Sequence, residues 1–132
     1  MNTDTGQSGG VHRELSGAVI GAAMKEHRVL RPGLDEKIYE NALVVELRKL
    51  GHAVEQQRSF DVRYEGERVG RFIPDLIVNG KIIVDPKVVE NFNDAHIAQM
   101  LGYLAITQLP LALLLNFKLG KLQVKRVSAP IA

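Results

Sequence analysis

The stretch Ile82-Ile83-Val84-Asp85-Pro86-Lys87 decides the fold of this chain. Three β-branched residues in a row read as a strand covered on both faces, and an acid and an amine follow, two residues apart. In a strand that spacing places Asp85 and Lys87 on one face, about 7 Å apart along the chain. Immediately before it, Asn79-Gly80 is a strong hairpin-turn signal, and Pro74-Asp75-Leu76-Ile77-Val78 repeats the pattern of an acid beside an aliphatic run. Two neighbouring strands therefore each bring a carboxylate to the rim of the core. Such a pair meets what a hard cation asks of a protein, a few fixed oxygens with the other positions left to water and phosphate. A lysine held alongside can orient an attacking water or offset charge developing on a phosphorus.

Register tests whether the two acids can meet. A two-residue Asn79-Gly80 turn would pair Val78 with Lys81 and Asp75 with Val84, leaving Asp75 and Asp85 on opposite faces. A three-residue turn, or one bulge, returns them to the same face, and one of these is expected. Pro86 lacks a ladder donor, so it marks an edge or a bulge and threatens the pitch between Asp85 and Lys87. Read without context, all three residues could equally be solvated strand-end charges.

Outward from this centre, residues from His12 to Leu30 carry Leu15, Val19, Ala22, Ala23 and Val29 at helical spacing, and Arg31-Pro32-Gly33 stops them. A second helix is predicted from about Leu34 to Leu50. Leu34, Ile38, Ala42 and Val45 form one stripe on it, Leu43, Leu47 and Leu50 lie beside them, and Gly51 is the stop. Strand alternation follows from Val54 to Tyr64, turns at Glu65-Gly66-Glu67 and returns from Arg68 to Val78. After the Asp85 strand, Asn93 or Asp94 caps a helix from about Ala95 to Thr107 with Ile97, Leu101, Leu104 and Ala105 inward. Leu111 to Phe117 reads as a strand covered on both faces, and Leu122 to Val127 as a short edge strand. The expected order is ααβββαββ, a mixed α/β (α+β) domain.

Helix positions offer further candidates. Glu36 and Glu40 are four residues apart and share a face, either as solvated glutamates or as acids aimed at the strand-borne site. His96, Gln99 and Tyr103 line one side of an otherwise apolar helix, by chance spacing or because they face that site. A lone His96 in this setting is more often structural than catalytic.

Composition bounds the function classes. The chain has 132 residues, 45% hydrophobic and 24% charged, which suits a globular domain. There are no cysteines, which excludes a disulfide framework, a thiolate zinc site, an iron–sulfur cluster and a cysteine nucleophile. Seventeen Lys+Arg against fifteen Asp+Glu give a net charge of +2, so any nucleic-acid footprint must be local. Lys118, Lys121, Lys125 and Arg126 are the nearest thing to one, and they serve equally well as guards of an edge strand. Residues 1–10 are polar and Gly/Ser-rich, without the basic start and apolar stretch of a signal peptide, and are expected to form a disordered tail before one domain at 11–132. No stretch is long enough to span a bilayer, and a cytoplasmic setting is expected.

Gly33-Leu34-Asp35-Glu36-Lys37-Ile38-Tyr39 reproduces the motif of the GxxExxY proteins. Tyr39-Glu40-Asn41-Ala42-Leu43, Val69-Gly70, Pro74-Asp75-Leu76, Val84-Asp85-Pro86-Lys87, His96-x-x-Gln99-x-x-x-Tyr103-Leu104 and Leu115-Asn116-Phe117 follow in that family's order. The resemblance covers about residues 12 to 127. That family is assigned to the PD-(D/E)xK nuclease superfamily, with its restriction-endonuclease-like αβββαβ core. Gln99-x-x-x-Tyr103 is similar to the QxxxY motif of its RecB-like and Cas4-like branch. The resemblance implies that Asp75 and Asp85 bind Mg2+ or Mn2+, that Lys87 assists the attacking water, and that Glu36 or Glu40 completes the metal shell. It implies that Gln99 and Tyr103, with His96, steady the site or the nucleic-acid strand. Asp85 stands where the family usually has glutamate, one methylene longer. The activity implied is a metal-dependent nuclease acting on DNA or RNA. A catalytically inactive nucleic-acid-binding module on the same fold and a structural, homodimerising or partner-binding protein are the rivals.

Overall fold

The computed structural model describes residues 10–130, so the tail expected over residues 1–10 lies, except for Gly10, outside the described residues. Two helices come first, α1 (Arg13–Leu30) and α2 (Glu36–Lys49). Five strands follow: β1 (Val54–Gln56), β2 (Phe60–Tyr64), β3 (Glu67–Phe72), β4 (Leu76–Val78) and β5 (Ile82–Lys87). After α3 (Asp94–Thr107) come β6 (Leu111–Asn116) and β7 (Gln123–Ser128). The expected mixed architecture holds, with each of the two long arms interrupted. Gln57 takes a left-handed backbone (φ 59) and ends β1, while Ile73-Pro74-Asp75 separates β3 from β4. Proline has no N–H to give a ladder, so the break falls where pairing is weakest.

The breaks free β2 and β3 to pair only with each other, as a ribbon beside a five-stranded sheet in the order β1-β4-β5-β6-β7. All neighbours in that sheet are antiparallel except β5 and β6, which run parallel with α3 as the crossover between them. All residues from Leu111 to Phe117 are buried, as the unbroken apolar run requires of a strand covered on both faces. β7 ends the sheet as an edge strand, its Lys125 exposed. Arg126 instead ties the edge to the first helix. Its guanidinium donates to Ser16 Oγ (2.6 Å) and to the Val11 carbonyl (2.9 Å), fixing the start of α1.

One sheet face, carrying Leu76, Val78, Ile82, Val84, Leu111, Leu113 and Leu115, packs on α1 and α2. The other, carrying Ile77, Ile83, Ala112 and Leu114, packs on α3 through Met100 and Leu104. Each fully buried aliphatic side chain contributes about 1.5–3 kcal/mol relative to exposure. The helices bury Val19, Ala22, Ala23, Leu43, Leu47 and Leu104 as expected, but part of each expected stripe faces elsewhere. On α2 the inward residues are Tyr39, Leu43, Val44 and Leu47, while Ile38, Val45 and Leu50 are exposed; Val29 of α1 and Ala105 of α3 also face outward. Several phases of apolar residue compete on each helix, and the aromatic anchor Tyr39, stacked on Phe117 at 4.7 Å, sets the rotation of α2. Gly51 (φ 91) stops α2 as expected, with Gly51 N–H on the Arg48 carbonyl and His52 N–H on that of Leu47. No helix among the described residues is long and apolar enough to cross a membrane.

Candidate active site

Asn79 and Gly80 both have positive φ, and Lys81 N–H closes the turn on the Val78 carbonyl at 3.0 Å. Lys81 is then left over, so that Val78 pairs with Ile82, Ile77 with Ile83 and Leu76 with Val84. The extra residue is the one that a shared face for the two acids requires. One step beyond the last pair, Asp75 comes opposite Asp85, and the two carboxyls neighbour each other on the α3 face of the sheet. Lys87 Nζ stands 3.4 Å from Asp85 Oδ2, on the same face.

Of the edge or bulge expected at Pro86, the structure has the edge and no bulge. β5 keeps an even register with β6 from Ile82 opposite Leu111 to Lys87 opposite Asn116. The Lys87 carbonyl accepts from Phe117 N–H at 2.9 Å, so alternate residues 83, 85 and 87 direct their peptide groups to β6. Pro86 therefore directs its missing donor to the β4 side, where pairing has already stopped at Val84. A proline there costs the ladder nothing, and the pitch from Asp85 to Lys87 is preserved.

Burial leaves Asp85 only 5% exposed. That burial, followed by the neighbouring Asp75, pushes its carboxyl up to about 8, although Lys87 pulls the other way. The charge of Asp75 disfavours ionisation of Asp85 by more than Lys87 offsets, and a further cation beside the pair would relieve it. Tyr103 reaches the same field from α3: burial raises its phenol first, and the charges of Asp85 and Asp75 add to the rise. Its ring stacks on Phe72 at 4.5 Å, and Phe72 stacks on Phe60 at 5.3 Å, so the β2–β3 ribbon is joined to the site by aromatic contacts.

The α2 acids approach from the opposite sheet face, round the ends of the strands. Glu40 is buried, and its Oε2 accepts from Gln56 Nε2 (2.8 Å), Gln57 Nε2 (3.0 Å) and Lys37 Nζ (3.1 Å). Gln57 Nε2 also reaches Asp75 Oδ1 at 3.2 Å, and its backbone N–H donates to the Asp75 carbonyl at 3.0 Å. Glu40 thus touches the strand acids through Gln57, a residue that sequence reasoning missed. Nothing in the alternation from Val54 to Tyr64 singles it out. Glu36 Oε1 instead accepts from Val88 N–H at 3.1 Å, one residue past Lys87. Gly33 supplies φ 111 at the turn, and Tyr39 ties that turn down, its hydroxyl donating to the Arg31 carbonyl and accepting from Leu34 N–H. The Gly33, Glu36 and Tyr39 spacing accordingly fixes the α1–α2 turn against the exit of β5.

Of the α3 candidates, Tyr103 is brought to the site. His96 forms a capping box with Asn93, accepting from Asn93 N–H through Nδ1 while Asn93 Oδ1 accepts from His96 N–H. Gln99 is exposed on the same helix. Asn116, opposite Lys87 in register, stood out in the sequence only as part of a motif. It is fully buried and its amide grips the Val89 N–H and carbonyl, pinning the chain just after the lysine.

Among the described residues no group of three or more His, Cys, Asp or Glu side chains is close enough to hold a metal ion. The chemistry of the pair itself still suits a hard divalent cation: both donors are carboxylate oxygens, and the raised Asp85 carboxyl marks a place short of positive charge. No curated protein and no solved structure matches the chain significantly. A family model described as PD-(D/E)XK nuclease superfamily matches residues 13–127, from the start of α1 into β7. The chain belongs to the PD-(D/E)XK nuclease superfamily.

Proposed function

We propose that this protein is a divalent-metal-dependent nuclease that hydrolyses phosphodiester bonds of DNA or RNA, with Mg2+ or Mn2+ as its metal. The observation that carries the reading is the hairpin register, which sets Asp75 against Asp85 with Lys87 at 3.4 Å on the same face. Asp75 and Asp85 would hold the metal. When bound, it would supply Lewis-acid stabilisation of charge on the phosphate and acidify water.

The protein's own groups divide the remaining work. Lys87, its ammonium largely buried beside Asp85, orients the attacking water and offsets negative charge gathering on the attacked phosphate. Attack forms a bond from water oxygen to phosphorus and breaks the bond to the departing ester oxygen, which takes up a proton. Gln57 and Glu40 hold Asp75 in place, and Glu36 steadies the backbone at Val88. Tyr103, with Gln99 and His96 on the same helix, flanks the strand of nucleic acid. Glu36 or Glu40 would be the further metal ligand from the helix.

The test is cleavage of end-labelled single- and double-stranded DNA and RNA with magnesium or manganese, comparing wild type with Lys87→Ala. Loss of roughly 10²–10⁴-fold in rate is expected, the usual worth of such a group. Equal cleavage by both proteins would place the activity elsewhere, and binding without cleavage by wild type would leave a nucleic-acid-binding module.

A further inference from the structure

Two adjoining clefts, of about 440 and 200 Å³, open between the last turn of α1 and the loop that joins β6 to β7. His27, Arg28 and Gly120 line both, Arg31 lines the larger and Lys121 the smaller. No acid among the described residues lines either. Arg28, Arg31 and Lys121 are exposed, and none of them makes an ion pair among the described residues. On the β2–β3 ribbon the arginines are compensated instead, Arg63 and Arg68 sharing Asp61. In a chain of net charge +2, three uncompensated cations around one opening are a concentration of positive charge that the molecule as a whole does not have.

The buried His27 holds the two walls together. Its Nε2–H donates to the Leu119 carbonyl at 2.8 Å, and its ring lies 5.8 Å from that of Phe117, so Gly120 and Lys121 are fixed against α1. The negative end of the α1 dipole favours a cation in the last turn and accounts for Arg28. It does not account for Lys121, which comes from another element and lines the same space. Cations brought together without an acid repel one another, and an anion between them relieves that cost.

Position shows which anion. Both walls run into the site already described. Phe117, three residues before Gly120, donates its N–H to the Lys87 carbonyl, and Glu36, five residues after Arg31, accepts from Val88 N–H. At about 3.5 Å per residue the clefts lie within about 20 Å of Lys87, or about six nucleotides along a helical strand. Asp75 and Asp85 stand on the α3 face and the clefts beside α1, so a strand that reaches both crosses the end of the sheet.

We propose that the cleft between α1 and the β6–β7 loop binds backbone phosphates of the nucleic-acid substrate a few nucleotides from the bond that is cut, with Arg28, Arg31 and Lys121 as their contacts. The proposal rests on the nuclease reading, which supplies the strand, and adds where the strand goes. Contacts of this kind set position without reading sequence, and each releases counterions, so binding through them weakens as salt rises.

Fluorescence anisotropy of labelled single- and double-stranded DNA and RNA of about twenty nucleotides, long enough to reach from the site to the cleft, tests it. The titrations are made in magnesium in a Lys87→Ala background, which leaves the strand uncut. Arg28→Gln and Lys121→Gln, at exposed positions and checked for folding by circular dichroism, are each expected to weaken the best-bound probe about threefold or more. Each is also expected to reduce the slope of log affinity against log salt by about one. Lys125→Gln, an exposed cation of β7 outside the clefts, is expected to change neither, and a dinucleotide too short to reach the cleft is expected to bind all variants alike. Equal affinity and slope in the two cleft variants would overturn the proposal, while cleavage that needs Lys87 would leave the nuclease reading standing. A loss as large in Lys125→Gln, the mark of bulk charge, would overturn it too, as would the same loss for the dinucleotide, the mark of a small-anion site. Failure of every probe to bind would also overturn it, and the nuclease reading falls with it only if cleavage is absent as well.

Discussion

Asp85 shows how much a single side chain can say about the site. Its carboxyl is held up at about 8 by burial first and by Asp75 second, whereas an aspartate in an unfolded chain titrates near 4. Between those values the folded protein keeps a proton that the unfolded chain releases. The stability this contributes is present in full below about pH 4 and is lost as pH rises through about 8. Urea unfolding without divalent cation is therefore expected to show stability falling across that window, with Asp85→Asn removing much of the slope. Glu26, raised to about 8 by burial and by Glu46, adds a slope of the same sign that Asp85→Asn leaves behind. Stability that climbs with pH over the same range would contradict both assignments. At this scale the sequence was informative: Asp75, Asp85 and Lys87 could be named because acids and amines beside Ile/Val runs stand out. Gln57 could not, since nothing in its type separates a bridging amide from a solvated one.

Elements position these residues, and they were legible where one physical signal dominates. Leu111 to Phe117 is apolar throughout and is buried throughout. The Asn79-Gly80 turn was legible together with its extra residue, because chemistry demanded that Asp75 and Asp85 share a face. The long arms were not, because the apolar and polar pattern gives no clear stop at Gln57 or Pro74 and the breaks depend on a left-handed residue and a missing donor. Two substitutions separate the duties of the loops around the site. Gln57→Ala removes the amide between Glu40 and Asp75, and is expected to lower metal affinity about 10-fold or more with little change in melting temperature, since the residue is exposed. Asn116→Ala breaks the buried grip on Val89, and is expected to cost about 1–3 kcal/mol in denaturant unfolding. Unchanged metal affinity in the first, or unchanged stability in the second, would remove the positioning role argued for that residue.

The whole molecule gives its two sheet faces different roles. The α3 face carries Asp75, Asp85 and Lys87 toward Tyr103, and the ribbon of β2 and β3 is joined to it through Phe60 and Phe72. The other face is sealed by α1 and α2, and α1 buries Glu26 with no hydrogen-bond partner for its carboxylate among the described residues. The superfamily was readable from the order of motifs, whereas the rotation of the helices was not. Ile38, Ala42 and Val45 are as regular a stripe as any in the chain, and only Tyr39 stacked on Phe117 shows that the core lies elsewhere. Local periodicity cannot distinguish a stripe that faces the sheet from one that faces outward.

Nuclease chemistry at this site requires Asp75 and Asp85 to hold a divalent cation together, and Mn2+ binding followed by electron paramagnetic resonance near pH 8 tests that directly. Saturable binding by wild type, lost in Asp85→Asn and weakened in Gln57→Ala, is the expected result. No saturable binding by wild type, or equal binding by Asp85→Asn, would contradict it.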